Sequence, residues 1–174
     1  MRHAFVFEKV AVIVGPWREP MDPPERGARV EVRLMVDQGW RGTPSAAQRI
    51  VVDDPVWRAD LFDQANAPAG NLRSAHFHSR FNGVEPAPRE WPEPLSRDPR
   101  AWLRHELGDL VALCRRSGVM VDDEALGRDA DAVRAALDDI VAVVDRTWAA
   151  VRGGLQPPPG PQPRLVPSPP PAGG

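Results

Sequence analysis

The stretch RVEVRLMVD, Arg29 to Asp37, alternates along its whole length. Val30, Val32, Leu34 and Val36 fall on one side of an extended chain, and Glu31, Arg33 and Asp37 on the other, which is the period of a strand with one face buried. Upstream, Ala4 to Val14 (AFVFEKVAVIV) is rich in β-branched and aromatic residues and reads as a strand stopped by Gly15-Pro16. Downstream, Arg49 to Asp53 (RIVVD) starts a third strand that runs past Pro55 into Trp57 to Phe62 (WRADLF), and Pro55 demands a bulge, an edge position or a break. After the turn-forming Ala69 to Asn71, the stretch Arg73 to Phe81 (RSAHFHSRF) adds a further strand. Successive strands joined by short Gly/Pro/Asn segments, with no helix between them, predict an antiparallel meander rather than βαβ units.

The second half changes period. Asn82 to Asp98 holds four prolines and is expected to cross the surface as an extended connection without a helix. Asp98-Pro99 is a helix start, an acidic cap followed by proline at the first helical position. Trp102, Leu103, Leu107, Leu110, Val111 and Cys114 form the buried stripe of that helix, and Gly118 ends it. A longer helix follows from about Asp122 to Arg152, with Leu126, Val133, Leu137, Ile140, Val141, Val144, Trp148 and Val151 on one side. The predicted fold is α+β: an antiparallel sheet of four or five strands, then a C-terminal helical hairpin packed on one face. Residues 1–153 are read as a single α+β domain and residues 154–174 as a disordered Pro-rich tail, a candidate docking segment for a protein partner.

Composition narrows the function classes. Among 174 residues there is one lysine, Lys9, against abundant arginine, alanine and proline, the pattern of a GC-rich, actinobacterial type of bacterial coding sequence. The net charge of −2 argues against duplex DNA as a partner. From Asp122 to Asp145 eight acids face only Arg128 and Arg134, so an acidic second helix rides on a weakly basic body that leaves RNA or a small anion as a ligand. The single cysteine, Cys114, excludes an internal disulfide and reads as a core residue. Glu8 and Lys9 split the first apolar run, and no run of about 18 apolar residues occurs, so neither a signal peptide nor a membrane partner is expected and the cytoplasm is the expected location.

Chemistry is best sought at His76 and His78. Side chains two apart on a strand leave the same face about 7 Å apart, so both imidazoles can reach one ion or one substrate group. Imidazole suits zinc, manganese, iron or nickel, which makes a divalent metal the candidate cofactor, with Asp60 on the preceding strand the candidate third ligand. Asp53 and Asp54 lie just before it, and Glu85 and Glu90 on the proline-rich segment are candidates to cover the site. Without a metal, the pair can serve as base and acid beside Arg58, Arg73, Arg80 or Arg89, with Arg73 taken as the anion-holding member. Trp91 is a candidate stacking platform. The competing reading is a solvated pair on the wet face of a strand. His3 and His105 lack such neighbours, and no phosphate loop, nucleophile elbow or H-E-x-x-H occurs.

The run VWRADLFDQ, then RSAHFHSRFNG, then a proline-rich link into DPRAWLRHELGDL resembles bacterial proteins of about this size. From Arg29 to Leu110 the layout is similar to toxins of the TumE type: a small antiparallel sheet, an acidic strand, a basic strand with H-x-H and a following helix. The resemblance implies a toxin acting on RNA or another cellular target and neutralised by an antitoxin partner, and it carries over to His76, His78 and Asp60. NLRSA stands where such toxins have glycine and lysine before the histidines.

Two functions are therefore set against each other. The first is a small hydrolytic, nuclease-like enzyme, with His76, His78, Asp60 and Arg73 as its site. The second is a protein-interaction module using the acidic second helix and the tail. An enzyme requires Asp60 or an arginine buried within reach of both imidazoles. An interaction module requires an exposed apolar stripe on the second helix.

Overall fold

A computed structural model describes residues 1–153 apart from Met21, Asp37, Trp40, Arg41, Pro44, residues 46–49, Asn66, Pro68, Ala69 and Val121. The expected tail, the start of the third strand at Arg49 and the turn residue Ala69 lie outside the described residues.

Five strands form one antiparallel sheet in sequence order: β1 (His3–Val6), β2 (Val10–Glu19), β3 (Glu25–Val36), β4 (Val51–Gln64) and β5 (His76–His78). The protein is α+β, as the alternation in β3 requires. Its register sorts the sheet into two faces. The rows Val12–Val32–Trp57 and Val14–Val30–Ala59–Phe77 lie on one, and the rows Ile13–Glu31–Arg58–His78 and Gly15–Arg29–Asp60–His76 on the other. The first face is covered by the helices and holds the core, with Val12, Val30, Val32 and Ala59 fully buried. Trp57 stacks there on Trp102 with ring centroids 5.9 Å apart.

Two proline expectations meet different fates. At Pro55 the β3–β4 register shifts around Arg33, which is the bulge the sequence demanded. At Gly15-Pro16 no stop occurs, and β2 runs on to Glu19 with Pro16 opposite Ala28. The pairing with β1 ends at Val14, so beyond it β2 is an edge on that side, where a missing N–H costs no ladder bond. The stretch read as a strand from Ala4 to Val14 is a hairpin, because Glu8 and Lys9 form the turn between β1 and β2.

The segment Asn82 to Asp98 is also more ordered than expected. Phe81–Asn82 (β6) and Glu85–Pro86 (β7) make a short hairpin, turned at Gly83 with φ +59°, a conformation that suits glycine. Glu93–Arg97 forms a one-turn helix, α1, with Pro94 in its first turn, where no amide donor is needed. The next helix is broken into α2 (Pro99–Gly108) and α3 (Leu110–Arg116), because the Asp109 side chain caps Ala112 N and starts a new helix. Gly118, at φ +76°, ends α3 as expected.

The long helix α4 (Asp123–Arg152) packs against α2, α3, β2 and β3. Of the expected stripe, Leu126, Val133, Ile140, Val141, Val144, Trp148 and Val151 are buried and Leu137 is half-buried, so no stripe of large apolar side chains is exposed on its described surface. Cys114 is core: burial first, and Asp129 second, push its thiol up to about 11. No helix among the described residues is long and apolar enough to cross a membrane.

Candidate functional site

The face of the sheet away from the helices carries the chemistry. β4 alternates Trp57, Ala59 and Leu61 into the core, which turns Arg58, Asp60 and Phe62 to the other side. Asp60 sits in the middle of that side, opposite Arg29 on β3 and His76 on β5. The short β5 is delivered by a turn in which Asp63 accepts from Gly70 N at 2.8 Å and Leu72 N at 3.0 Å. Those bonds hold Leu72 at φ +50°, a left-handed conformation a leucine adopts only under such constraint. Beyond β5, Phe77 exchanges both backbone hydrogen bonds with Glu90, at 3.0 and 2.9 Å, so the following segment lies along its outer edge.

Asp60, His76 and His78 come together as required, with exposures of 0, 1 and 4%. Each imidazole is anchored through Nδ1: His76 Nδ1 donates to the Ser74 carbonyl at 2.7 Å and His78 Nδ1 to the Ala87 carbonyl at 2.6 Å. A carbonyl only accepts, so Nδ1 carries the proton in the neutral ring and Nε2 offers its lone pair. Both Nε2 atoms turn to the same oxygen, Asp60 Oδ2, at 3.3 Å from His76 and 3.7 Å from His78. Phe62 meets the edge of His76 at 5.9 Å between centroids, and the two histidine rings are 5.2 Å apart.

Two arginines complete the cluster. Arg29 forks onto Asp60, Nε to Oδ1 at 2.6 Å and Nη2 to Oδ2 at 3.2 Å, while its guanidinium lies 3.8 Å over the Trp17 ring. Arg58 Nη2 donates to His78 Nε2 at 3.0 Å. Its Nε is 3.1 Å from Asp60 Oδ2 but is not aimed along a hydrogen bond, and this buried N–H has no other acceptor. Burial works against the Asp60 charge, but its neighbours, His76 first and then the positive charges of Arg29 and Arg58, outweigh it and hold the carboxyl at about 2. Burial is also the main force holding His78 below its ordinary value, helped by the Arg58 charge and opposed by the Ala87 carbonyl and Asp60. At neutral pH the cluster thus contains an ionised carboxylate and an uncharged His78.

Other expected participants lie elsewhere. Arg73 is exposed on the turn before β5, bonded through its backbone to Asn71, and Arg29 and Arg58 take the place expected of it. Asp53 and Asp54 are exposed near the start of β4, and the exposed Glu85 and Glu90 stand outside the group of potential ligands. Arg89 pairs with Glu25 at 3.3 Å, and Arg80 and His105 are exposed. Trp57 and Trp102 belong to the core face, whereas Trp91, 59% exposed, approaches His76 at 6.1 Å between rings. Sequence reasoning missed Arg29, Trp17 and Phe62. Their signal was parity: Arg29 shares a strand face with Glu31 and Phe62 with Asp60, and Trp17 falls on the same sheet face through the β2–β3 register. Beside the cluster, Arg2, Trp17, Arg29, Glu31 and Arg33 line an open cleft of about 400 Å³.

Comparison of the chain with protein-family models, with curated proteins and with solved structures returns no match. The reading of function therefore rests on the site itself.

Proposed function

We propose that this protein is a small hydrolytic enzyme of nuclease-like chemistry that cleaves phosphodiesters in single-stranded RNA on the His76/His78 face. One observation carries the reading: two imidazole Nε2 atoms and one carboxylate oxygen converge at 3.3 and 3.7 Å beside two guanidinium groups. Such a set combines groups that accept and deliver protons with groups that hold an anion. In the reaction, the oxygen of water bonds to phosphorus and the bond from phosphorus to the leaving oxygen breaks. The cluster takes a proton from the water, and one is returned to the leaving oxygen. Arg58 faces the charge that builds on the phosphoryl oxygens, and Arg29 keeps Asp60 in place. The neighbouring cleft, with Arg2 and Arg33 around Trp17, suits the adjoining phosphates and a stacked base.

The rival reading, docking through the second helix and the Pro-rich tail, finds no exposed stripe of large apolar side chains on the described surface of α4, where only Leu137 is half-buried, and its tail lies outside the described residues. The enzyme reading is tested with a fluorogenic single-stranded RNA oligonucleotide and an aryl phosphodiester. Wild-type protein is expected to hydrolyse at least the RNA, and His78→Ala to lose about 100-fold or more of that rate. Absence of turnover by the wild type on both substrates, or an undiminished rate in His78→Ala, would refute it.

A further inference from the structure

We infer that Asp60, His76 and His78 form a binding site for one divalent transition-metal ion of the zinc class; the inference rests on the reading of this cluster as the hydrolytic centre, and with both Nε2 lone pairs given to the ion it is the ion, rather than the imidazoles, that would activate the water. Both Nε2 atoms converge on one Asp60 oxygen, at 3.3 Å from His76 and 3.7 Å from His78, and the three candidate ligand atoms all lie within 4.8 Å of one another. Two ligands about 2.1 Å from an ion at a tetrahedral angle stand about 3.4 Å apart, which matches the spacing around Oδ2.

The surroundings of the ligands agree. Histidine ligands normally give their other N–H to a carbonyl or carboxylate, which fixes the tautomer and aims the lone pair, and both rings here do so at 2.7 and 2.6 Å. Three protein ligands leave a position for water or substrate, the arrangement of catalytic rather than structural zinc. Two nitrogen donors among three favour zinc, iron, cobalt or nickel over calcium and magnesium, which take oxygen ligands. Two guanidinium groups compete with the ion: Arg58 Nη2, hydrogen-bonded to His78 Nε2 at 3.0 Å, has to swing aside, and Arg29 Nη2 donates to Asp60 Oδ2 at 3.2 Å. Arg29 and Arg58 also place positive charge against Asp60, which weakens binding without removing the ligands.

That competition yields a discriminating variant. Full-length protein is stripped with chelator, dialysed, and titrated with zinc chloride by calorimetry, with bound metal counted by mass spectrometry. The expected result is one zinc per chain for the wild type, binding at least tenfold tighter in Arg58→Met, and no saturable binding in a folded His76→Ala/His78→Ala variant. Circular dichroism establishes folding, and a zinc-dependent rise in the wild-type melting temperature provides a second readout that needs no variant. Failure of both the wild type and Arg58→Met to bind, or equal binding by the double-histidine variant, overturns the inference. Because binding is measured without substrate, its failure is distinct from failure of the hydrolase reading: chelator-resistant RNA cleavage with no bound zinc would sink the metal alone, and bound zinc with no cleavage the hydrolase alone.

Discussion

Asp60 has no water to rely on. It is fully buried, its two oxygens are shared among Arg29, Arg58 and the histidines, and its charge exists only because those partners do. Asn at this position keeps the shape and loses the charge, leaving the buried Arg29 with only the partly exposed Glu19, 3.4 Å from its Nη2, as an anionic partner. Breaking a buried ion pair from one side costs about 3–5 kcal/mol. Asp60→Asn is therefore expected to lower the urea midpoint of chelator-treated protein by a corresponding amount at unchanged slope, and a loss under about 1 kcal/mol would contradict the picture of a charge-locked network. These residues were unevenly legible in the sequence. The H-x-H spacing put both imidazoles on one face, and Asp60 was reachable once a meander was assumed, since an antiparallel neighbour must oppose β5. Arg29 was not singled out, because parity puts it on the polar side of its strand but its partner lies 31 positions away. Arg73 was singled out among the arginines beside the histidines, and on the turn before β5 it is exposed.

Helix α4 shows the same lesson on a larger unit. Its acids were counted together as those of an acidic helix, and Asp131 and Asp138 are exposed. Asp129 is not: it sits between Leu126 and Val133 on the buried stripe and is 2% exposed. An acid on an apolar stripe signals a hidden partner, and here the partners are backbone amides. Its carboxylate accepts from Glu8 N at 2.9 Å, Lys9 N at 2.7 Å and Val10 N at 3.0 Å, clamping the β1–β2 turn onto the helix. Asp129→Ala should cost about 2–3 kcal/mol, because the buried Val10 amide cannot turn to solvent as readily as the other two. Hydrogen exchange provides the check: the amides of Glu8, Lys9 and Val10 should lose protection while those of the central turns of α4 keep it. Unchanged protection at Val10 would mean that the turn does not need the clamp. The hairpin itself was missed because both of its strands are apolar enough to read as one, and Glu8-Lys9, though seen to split the apolar run, carries no Gly, Pro or Asn to mark a turn.

The sheet as a whole divides two tasks between its faces. The helix side is apolar from Val10 to Leu61 and holds the fold together, while the opposite side gathers Arg29, Arg58, Asp60, His76 and His78, whose burial is costly and whose geometry is convergent. This division followed from the alternation in RVEVRLMVD. What the cluster does could not follow from alternation, because parity assigns a face but not the distance between atoms. If the faces are separable, damage to one should leave the other's property intact. Ile140 is fully buried on α4, and Ile140→Ala removes core contacts at a cost of about 2–5 kcal/mol. Measured well below its lowered melting temperature, this variant should bind zinc as the wild type does and cleave RNA at an equal rate per folded molecule. His78→Ala should do the reverse, losing zinc and activity while giving up about 1–2 kcal/mol, the scale of a side-chain hydrogen bond. Parallel losses of zinc affinity in both variants would mean that the polar cluster is only as well formed as the core beneath it. Its convergence would then be a product of packing rather than an independently held site.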